Sequence, residues 1–203
     1  MTNVATLTAN QALRRQRVLQ AALVLAAEGG YDAVQMREVA ATADVALGTI
    51  YRYFSSKDHL LAAAMAEWTG ALQANLLASP PKGKTAADRL VDVLRRACRN
   101  LERQPLLTGA LITSLSSSGD GVAECQREVE RSMNDITGNV LAGLEPEVID
   151  GVTAVLRHVW YSALLGWANG RASIGQVGDE LERAARLLLA AYDPSERRPA
   201  AGR

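Results

Sequence analysis

The stretch VQMREVAATADVALGTIYRYFSSKDHL, residues 34–60, decides the fold. Met36, Val39 and Ala40 fall at i, i+3 and i+4, a narrow apolar stripe that leaves Gln35, Arg37 and Glu38 on the outside of a short helix. Ala43 and Asp44 supply a tight turn and Val45 fills the corner. Residues 46–54 then read as a second helix, with Ile50 and Phe54 repeating at i+4 on its inner side. Ser56 stands where it can cap a third helix that has Lys57 in its first turn. Two short helices joined by a tight turn, with a third following at once, form the layout of a helix-turn-helix.

The outer side of the second helix is expected to present Leu47, Gly48, Thr49, Tyr51, Arg52 and Tyr53. A glycine inside a helix costs ~1 kcal/mol against alanine, and close approach of a phosphate backbone is one reason to keep it. The phenols of Tyr51 and Tyr53 suit phosphate oxygens, Arg52 can fork onto a guanine edge, and Thr49 offers a hydroxyl and a methyl that suits thymine. Lys57 adds an ammonium to the free amides of a helix start, a seat for a phosphate. With Gln35 and Arg37 from the preceding helix, these residues are the expected DNA-binding set. The plain alternative is a helix pair whose tyrosines only rim a core.

The segment GTIYRYFSSKDHLL, preceded by MREVAATADVA and by AAEGGYDAV, resembles the DNA-binding head of the TetR family of bacterial one-component transcriptional regulators. Its pattern of Gly, small polar residue, aliphatic, Tyr, any residue, His or Tyr, Phe, then Lys and an acid is met across residues 48–58. Two positions depart from it. Ala46 stands where the family usually has a capping Ser, and Gln35 where it often has Ser or Thr; a lost cap costs ~1 kcal/mol, which tertiary packing can absorb. The resemblance implies an all-α chain of about nine helices. Residues 1–55 would form a three-helix DNA-binding head, 56–193 an effector-binding and dimerisation body, and 194–203 a disordered tail. Together with NLERQPLLTGAL and HVWYSALLGWANGRASIGQVGDELERAARLLL, the head resembles, within that family, the actinobacterial repressors of cholesterol and steroid catabolism. That likeness implies release from the operator by a CoA thioester of a steroid acid.

Outside the head, helical patterns run over residues 11–28, from 56 to the SPPKGKT break at 79–85, and over 86–104, 106–115, 122–142, 147–169 and 174–192. Gly29-Gly30 stops the first of these, and residues 1–10 show no periodicity. Leu90, Leu94, Ala97 and Leu101 mark an inner face on 86–104, opposite a basic, solvated face of Arg95, Arg96, Arg99 and Arg103. Met65, Trp68, Leu72, Leu107, Leu111, Leu115, Met133 and Trp160 are expected to receive a large apolar effector, which the resemblance implies is of the acyl-CoA type; read plainly, they are core. Ser162, Gly166 and Gly170 recur every fourth residue, beside Trp167, and Leu181, Ala185 and Leu188 add apolar area on the last helix. These seven are the expected dimer interface, four helices about a two-fold axis, which would let two heads reach the half-sites of a near-palindromic double-stranded operator.

Composition narrows the classes further. With 48% hydrophobic and 22% charged residues the chain reads as an ordinary globular protein, and no apolar run reaches bilayer length, so a cytoplasmic location is expected. Lysine and arginine number 22 against 22 acidic residues, an even balance that argues against non-specific coating of nucleic acid. Placement matters more: Arg14, Arg15 and Arg17 cluster at the start of the first helix, as phosphate contacts or as a solvated face. Cys98 and Cys125 are too few and too far apart for a metal set or a disulfide framework, and both read as reduced thiols. No nucleophile, base and oxyanion arrangement and no phosphate-binding glycine loop occurs, so neither enzymatic activity nor a cofactor is expected. The expectation is therefore a ligand-responsive homodimeric repressor. Its rivals are an activator of the same family and an acyl-CoA or lipid-carrying helical dimer that does not read DNA.

Overall fold

The computed structural model describes residues 8–192, the side chains of residues 76–78 excepted. Of the loose start expected over residues 1–10, residues 1–7 lie outside the described residues, as does the whole of the tail expected at 194–203. Among the described residues there are nine α-helices and no strand. They are α1 (Ala9–Ala33), α2 (Met36–Thr42), α3 (Leu47–Tyr51), α4 (Lys57–Ala78), α5 (Ala86–Glu102), α6 (Pro105–Leu115), α7 (Val122–Val140), α8 (Pro146–Ala168) and α9 (Ile174–Leu189). A single 3-10 turn, Ala190–Tyr192, follows.

Helix ends follow capping chemistry. The first helix begins at Ala9, two residues ahead of expectation, because the Thr8 hydroxyl accepts a hydrogen bond from the Gln11 amide while the Gln11 side-chain oxygen accepts one from the Thr8 amide at 2.8 Å. It breaks at Gly30, whose φ of 70° and ψ of −160° suit only glycine. Helix α2 closes with the Val45 amide on the Ala40 carbonyl at 3.1 Å and the Asp44 amide on the Ala41 carbonyl at 3.2 Å. With Asp44 at φ 51°, this is a Schellman turn that uses an aspartate in place of the usual glycine. Pro146 sits in the first turn of α8, where its missing N–H costs nothing, and Pro105 does the same for α6.

The second helix of the motif is shorter than the expected 46–54. It spans Leu47–Tyr51, after which the Tyr53 and Phe54 amides both donate to the Ile50 carbonyl at 2.9 Å. Two donors on one carbonyl tighten the last turn, and the chain swings Phe54 inward, where it is 1% exposed.

By packing, the described residues form two compact units, one within residues 1–69 and 104–129 and the other within residues 70–103 and 130–203. Compactness thus groups α6 and the first half of α7 with the three-helix head. In the first unit α1 packs on α6, and the motif hangs on Val18, Ala22, Val39, Ile50, Phe54, Leu60 and Leu61, each essentially fully buried. In the second unit α9 packs on both α5 and α8 through Leu90, Leu94, Ala97 and Leu101 on one side and Val177, Leu181, Ala185 and Leu189 on the other.

The basic face of α5 is only partly solvated, contrary to expectation. Arg95 is half-buried and pairs with Asp179 at 2.6 Å and Glu182 at 2.8 Å, and Arg96 pairs with Asp92 at 2.5 Å; Arg99 and Arg103 remain exposed. Arg95 reaches α9 because Gly178 leaves room: a Cβ there would stand 2.8 Å from its guanidinium. Arg186 extends the network to Glu182 at 2.9 Å and Asp88 at 3.1 Å. Both cysteines are buried, and burial pushes each thiol up to about 11, so neither is a ready nucleophile.

Candidate nucleic-acid interface

The first unit brings α2, α3 and the start of α4 together around one small core, and the candidate interface is the side of that assembly left in solvent. Neither α2 nor α3 has a side-chain cap, since Gln35 and Ala46 stand at their N-cap positions and make no such bond. Their orientation is set by burial of Val39, Ala40 and Ile50. The opposite is true of α4, where the Ser56 hydroxyl accepts from the His59 amide at 3.1 Å, as the sequence leads one to expect.

Of the expected set, Gln35, Arg37, Gly48, Tyr51 and Arg52 are exposed, Tyr51 at 53%. Among the described residues no hydrogen bond or ion pair engages the side chains of Arg37, Tyr51 or Arg52, while the Gln35 side-chain amide donates to the Asp32 carbonyl at 2.9 Å. Gly48 is informative in another way. A Cβ built there meets nothing within 4 Å, so no packing inside the subunit requires a glycine at a place where one weakens the helix.

The remaining members are less free than expected. Leu47 and Tyr53 are half-buried against the core, because a five-residue helix turns part of its ends inward, and Thr49 is half-buried too. The basic cluster of α1 also divides. Arg14 and Arg17 are exposed, but Arg15 turns inward to pair with Glu67, its guanidinium 5.4 Å from the centre of the Phe54 ring.

Three features were not legible beforehand. Lys57 lies with its ammonium 3.8 Å from the centre of the Tyr31 ring and donates to the Tyr31 carbonyl at 3.3 Å. The Tyr31 hydroxyl donates to Asp58 at 2.5 Å, and burial together with that bond pushes the phenol up to about 12. His59 packs edge-on against Phe54, its Nδ1 accepting from the Ser55 amide at 3.2 Å, while the Ser55 hydroxyl donates to the Asp120 carbonyl at 2.7 Å. Burial, and then the Arg15 charge, hold His59 below the ordinary histidine range. Beside it Gly121, at φ 85°, leaves space that a Cβ would fill to within 2.4 Å of the imidazole. The contacts of Tyr31 with Lys57 and Asp58, and of Ser55 and His59 with residues 120 and 121, join residues far apart in the chain, so no local period announces them.

The expected effector set splits between the units. Met65, Trp68, Leu107, Leu111 and Leu115 belong to the apolar cluster of the first, with Met65 and Leu111 buried. Leu72, Met133 and Trp160 belong to the second, where Leu72 is buried and the other two half-buried.

The expected dimer set needs correction. Leu181 and Ala185 are 0% exposed inside a single subunit, because α9 turns that face onto α5 and α8, and they cannot meet a second copy. Ser162 and Gly170 are exposed, and Gly166, Trp167 and Leu188 half-buried. The apolar side chains that α8 and α9 leave in solvent are instead Val155, Tyr161 and Leu187, the last at 72%.

Among the described residues no group of three or more His, Cys, Asp or Glu side chains is placed to hold a metal ion, and no helix is long and apolar enough to cross a membrane.

Comparison with known proteins bears on this geometry. Residues 18–64 match the family described as "Bacterial regulatory proteins, tetR family", and residues 83–188 match "Tetracyclin repressor-like, C-terminal domain". The chain is 38% identical over 196 residues to the HTH-type transcriptional repressor KstR of Mycolicibacterium smegmatis, spanning 93% of this chain and 96% of that protein. Among solved structures, a TetR transcriptional regulator from Rhodococcus sp. RHA1 superposes with a TM-score of 0.79 at 34% identity, covering 89% of this chain and 97% of that one. Thermus thermophilus FadR, a transcriptional repressor in complex with lauroyl-CoA, shares the fold at a TM-score of 0.68 and 20% identity, over 93% and 98% of the two chains.

Proposed function

The chain belongs to the TetR family of bacterial regulatory proteins, and from that premise we propose that it is a homodimeric repressor that an apolar acyl-CoA-type effector releases from a near-palindromic operator. As a member of that family it is a helix-turn-helix transcriptional regulator and not an enzyme. The observation that carries the operator reading is the exposed face of α3. Gly48, which the subunit's own packing does not need, stands three and four residues before the exposed Tyr51 and Arg52, the latter with its guanidinium 6.0 Å from the centre of the Tyr53 ring, and Arg37 of α2 is exposed as well. Arg52 would read a base edge, while Tyr51, Tyr53 and Lys57 would hold phosphates and Leu47, Thr49, Gln35 and Arg37 would complete the contact.

Reading two half-sites requires a dimer with heads about 34–36 Å apart. Val155, Tyr161 and Leu187 on α8 and α9, flanked by Ser162, Gly166, Trp167, Gly170 and Leu188, offer the apolar area for one. For the effector, the reading rests on the apolar set of Met65, Trp68, Leu72, Leu107, Leu111, Leu115, Met133 and Trp160. The resemblance of the sequence segments quoted above to repressors of cholesterol and steroid catabolism, and the fold shared with a repressor solved with lauroyl-CoA, support a steroid or fatty acid CoA thioester.

Gel shifts with the DNA upstream of the protein's own gene test the first half. Lys57→Ala is expected to weaken binding to every sequence and flatten its salt dependence, and Arg52→Ala to relax preference at one base pair by ~1–3 kcal/mol. Binding unchanged in both variants would remove the head from the operator. Thermal midpoints against a panel of steroid and fatty acyl-CoA esters test the second half, since a ligand selective for the folded state raises the midpoint.

A further inference from the structure

We propose that Tyr31 is a positioning residue for DNA binding: by holding the Asp58 carboxylate on its hydroxyl and the Lys57 ammonium on its ring and carbonyl, it keeps two neighbouring opposite charges apart, so that the cation stays available to a phosphate. This rests on the operator reading above. Lys57 and Asp58 are adjacent in the first turn of α4, and both side chains are half-buried. An aspartate beside a phosphate-binding lysine is unfavourable in two ways. Its charge repels the phosphate directly, and it can pair with the ammonium that the phosphate needs.

The structure deals with both through one side chain from α1. The Tyr31 hydroxyl donates to Asp58 Oδ1 at 2.5 Å, a short charge-assisted bond that fixes the carboxylate. The same residue presents its ring face to Lys57 Nζ, 3.8 Å from the centroid, and its backbone carbonyl at 3.3 Å. Ring face and carbonyl are neutral acceptors. They orient the ammonium without cancelling its charge, and three donors on the ammonium leave hydrogen-bonding capacity for a phosphate oxygen. No ion pair between Lys57 and Asp58 occurs among the described residues, although they are sequence neighbours. Burial and the Asp58 contact both raise the phenol far above neutral pH, so the hydroxyl remains a donor. Gly30, with its φ of 70°, kinks α1 immediately before Tyr31.

Tyr31→Phe tests the arrangement cleanly, because the ring and the backbone carbonyl stay and only the hydroxyl leaves. Freed, the carboxylate can turn toward the ammonium. Operator binding by the full-length protein is then expected to weaken several-fold at low salt. Losing one phosphate contact in each half-site should flatten the slope of log K against log salt by about 1.8 for the dimer. Asp58→Asn removes the offending charge, so the Tyr31→Phe, Asp58→Asn double variant should recover the wild-type slope. A merely structural tyrosine predicts no such recovery.

Lys57→Ala separates the two levels. If it leaves affinity and slope unchanged, the operator reading of Lys57 fails. If it weakens binding while Tyr31→Phe does not, or if Asp58→Asn fails to rescue Tyr31→Phe, the role of Tyr31 is overturned and the operator reading stands. Far-UV circular dichroism at each salt concentration confirms that the variants being compared are folded.

Discussion

The helix-turn-helix and the α5–α9 pair solve the same problem, fixing two helices against each other, in opposite ways. Both α5 and α9 begin with a complete capping box, from Thr85 with Asp88 and from Ser173 with Gln176. Charged side chains then tie the two together, Arg95 to Asp179 and Glu182, and Arg186 to Asp88. In α2 and α3 neither cap is made, the helices are seven and five residues long, and burial of Val39, Ala40, Ile50 and Phe54 supplies the hold. A surface that only packs can satisfy its polar groups internally. One that must meet a partner keeps them unspent and relies on apolar contacts from behind.

The comparison breaks most sharply in the core behind the motif. Phe54→Ala should destabilise the protein by ~3–5 kcal/mol in urea unfolding and abolish operator binding, because no cap or ion pair replaces the lost contact. A loss under ~1 kcal/mol would mean that the motif is held by something other than this cluster. Gly121→Ala comes next, expected to cost ~1–3 kcal/mol in the same measurement, since it forces a positive φ on alanine and drives a methyl into His59.

Caps sharpen the contrast with smaller, signed effects. Thr85→Ala should lower stability by ~1 kcal/mol, whereas Ala46→Ser should raise it by ~0.5–1 kcal/mol by giving α3 the cap it lacks. Should the two shifts come out equal in sign, helix-end chemistry does not distinguish the regions.

Acidification gives the mildest test. His59 is held below its ordinary value, so the unfolded chain binds the proton first; the stability this contributes is intact above about pH 6.5 and is lost as pH falls through the folded-state value. Asp88 and Glu182 are likewise depressed, chiefly by their arginine partners, and their contribution disappears only below the ordinary carboxylate range. Urea midpoints measured from pH 7 to pH 2 should therefore decline first through the histidine window. His59→Gln should remove that early decline and leave the later one.

How much was readable in advance follows the range of the interactions. The motif, its turn at Ala43 and Asp44, the Ser56 cap and the missing caps at Gln35 and Ala46 depend on residues within a few positions of one another, and spacing exposes them. The length of α3 was overestimated because its end is set by Phe54 turning into a core built from other helices. Leu181 and Ala185 look like interface residues for an equally simple reason. A helical stripe has the same period whether it faces another subunit or, as here, α5 and α8 of its own.

The sequence by itself determined an all-helical chain with a helix-turn-helix near its start, because helix period, breakers and turn chemistry are local. Tertiary structure decided which charges are spent and which remain available. Arg15 and Arg95 are drawn into ion pairs, Arg52 is left in solvent, and Lys57 rests on Tyr31 while its neighbour Asp58 is bound to the same residue. Coulomb and hydrogen-bond partners are assigned by distance in space, and residues 27 positions apart in the chain meet only once the helices have packed.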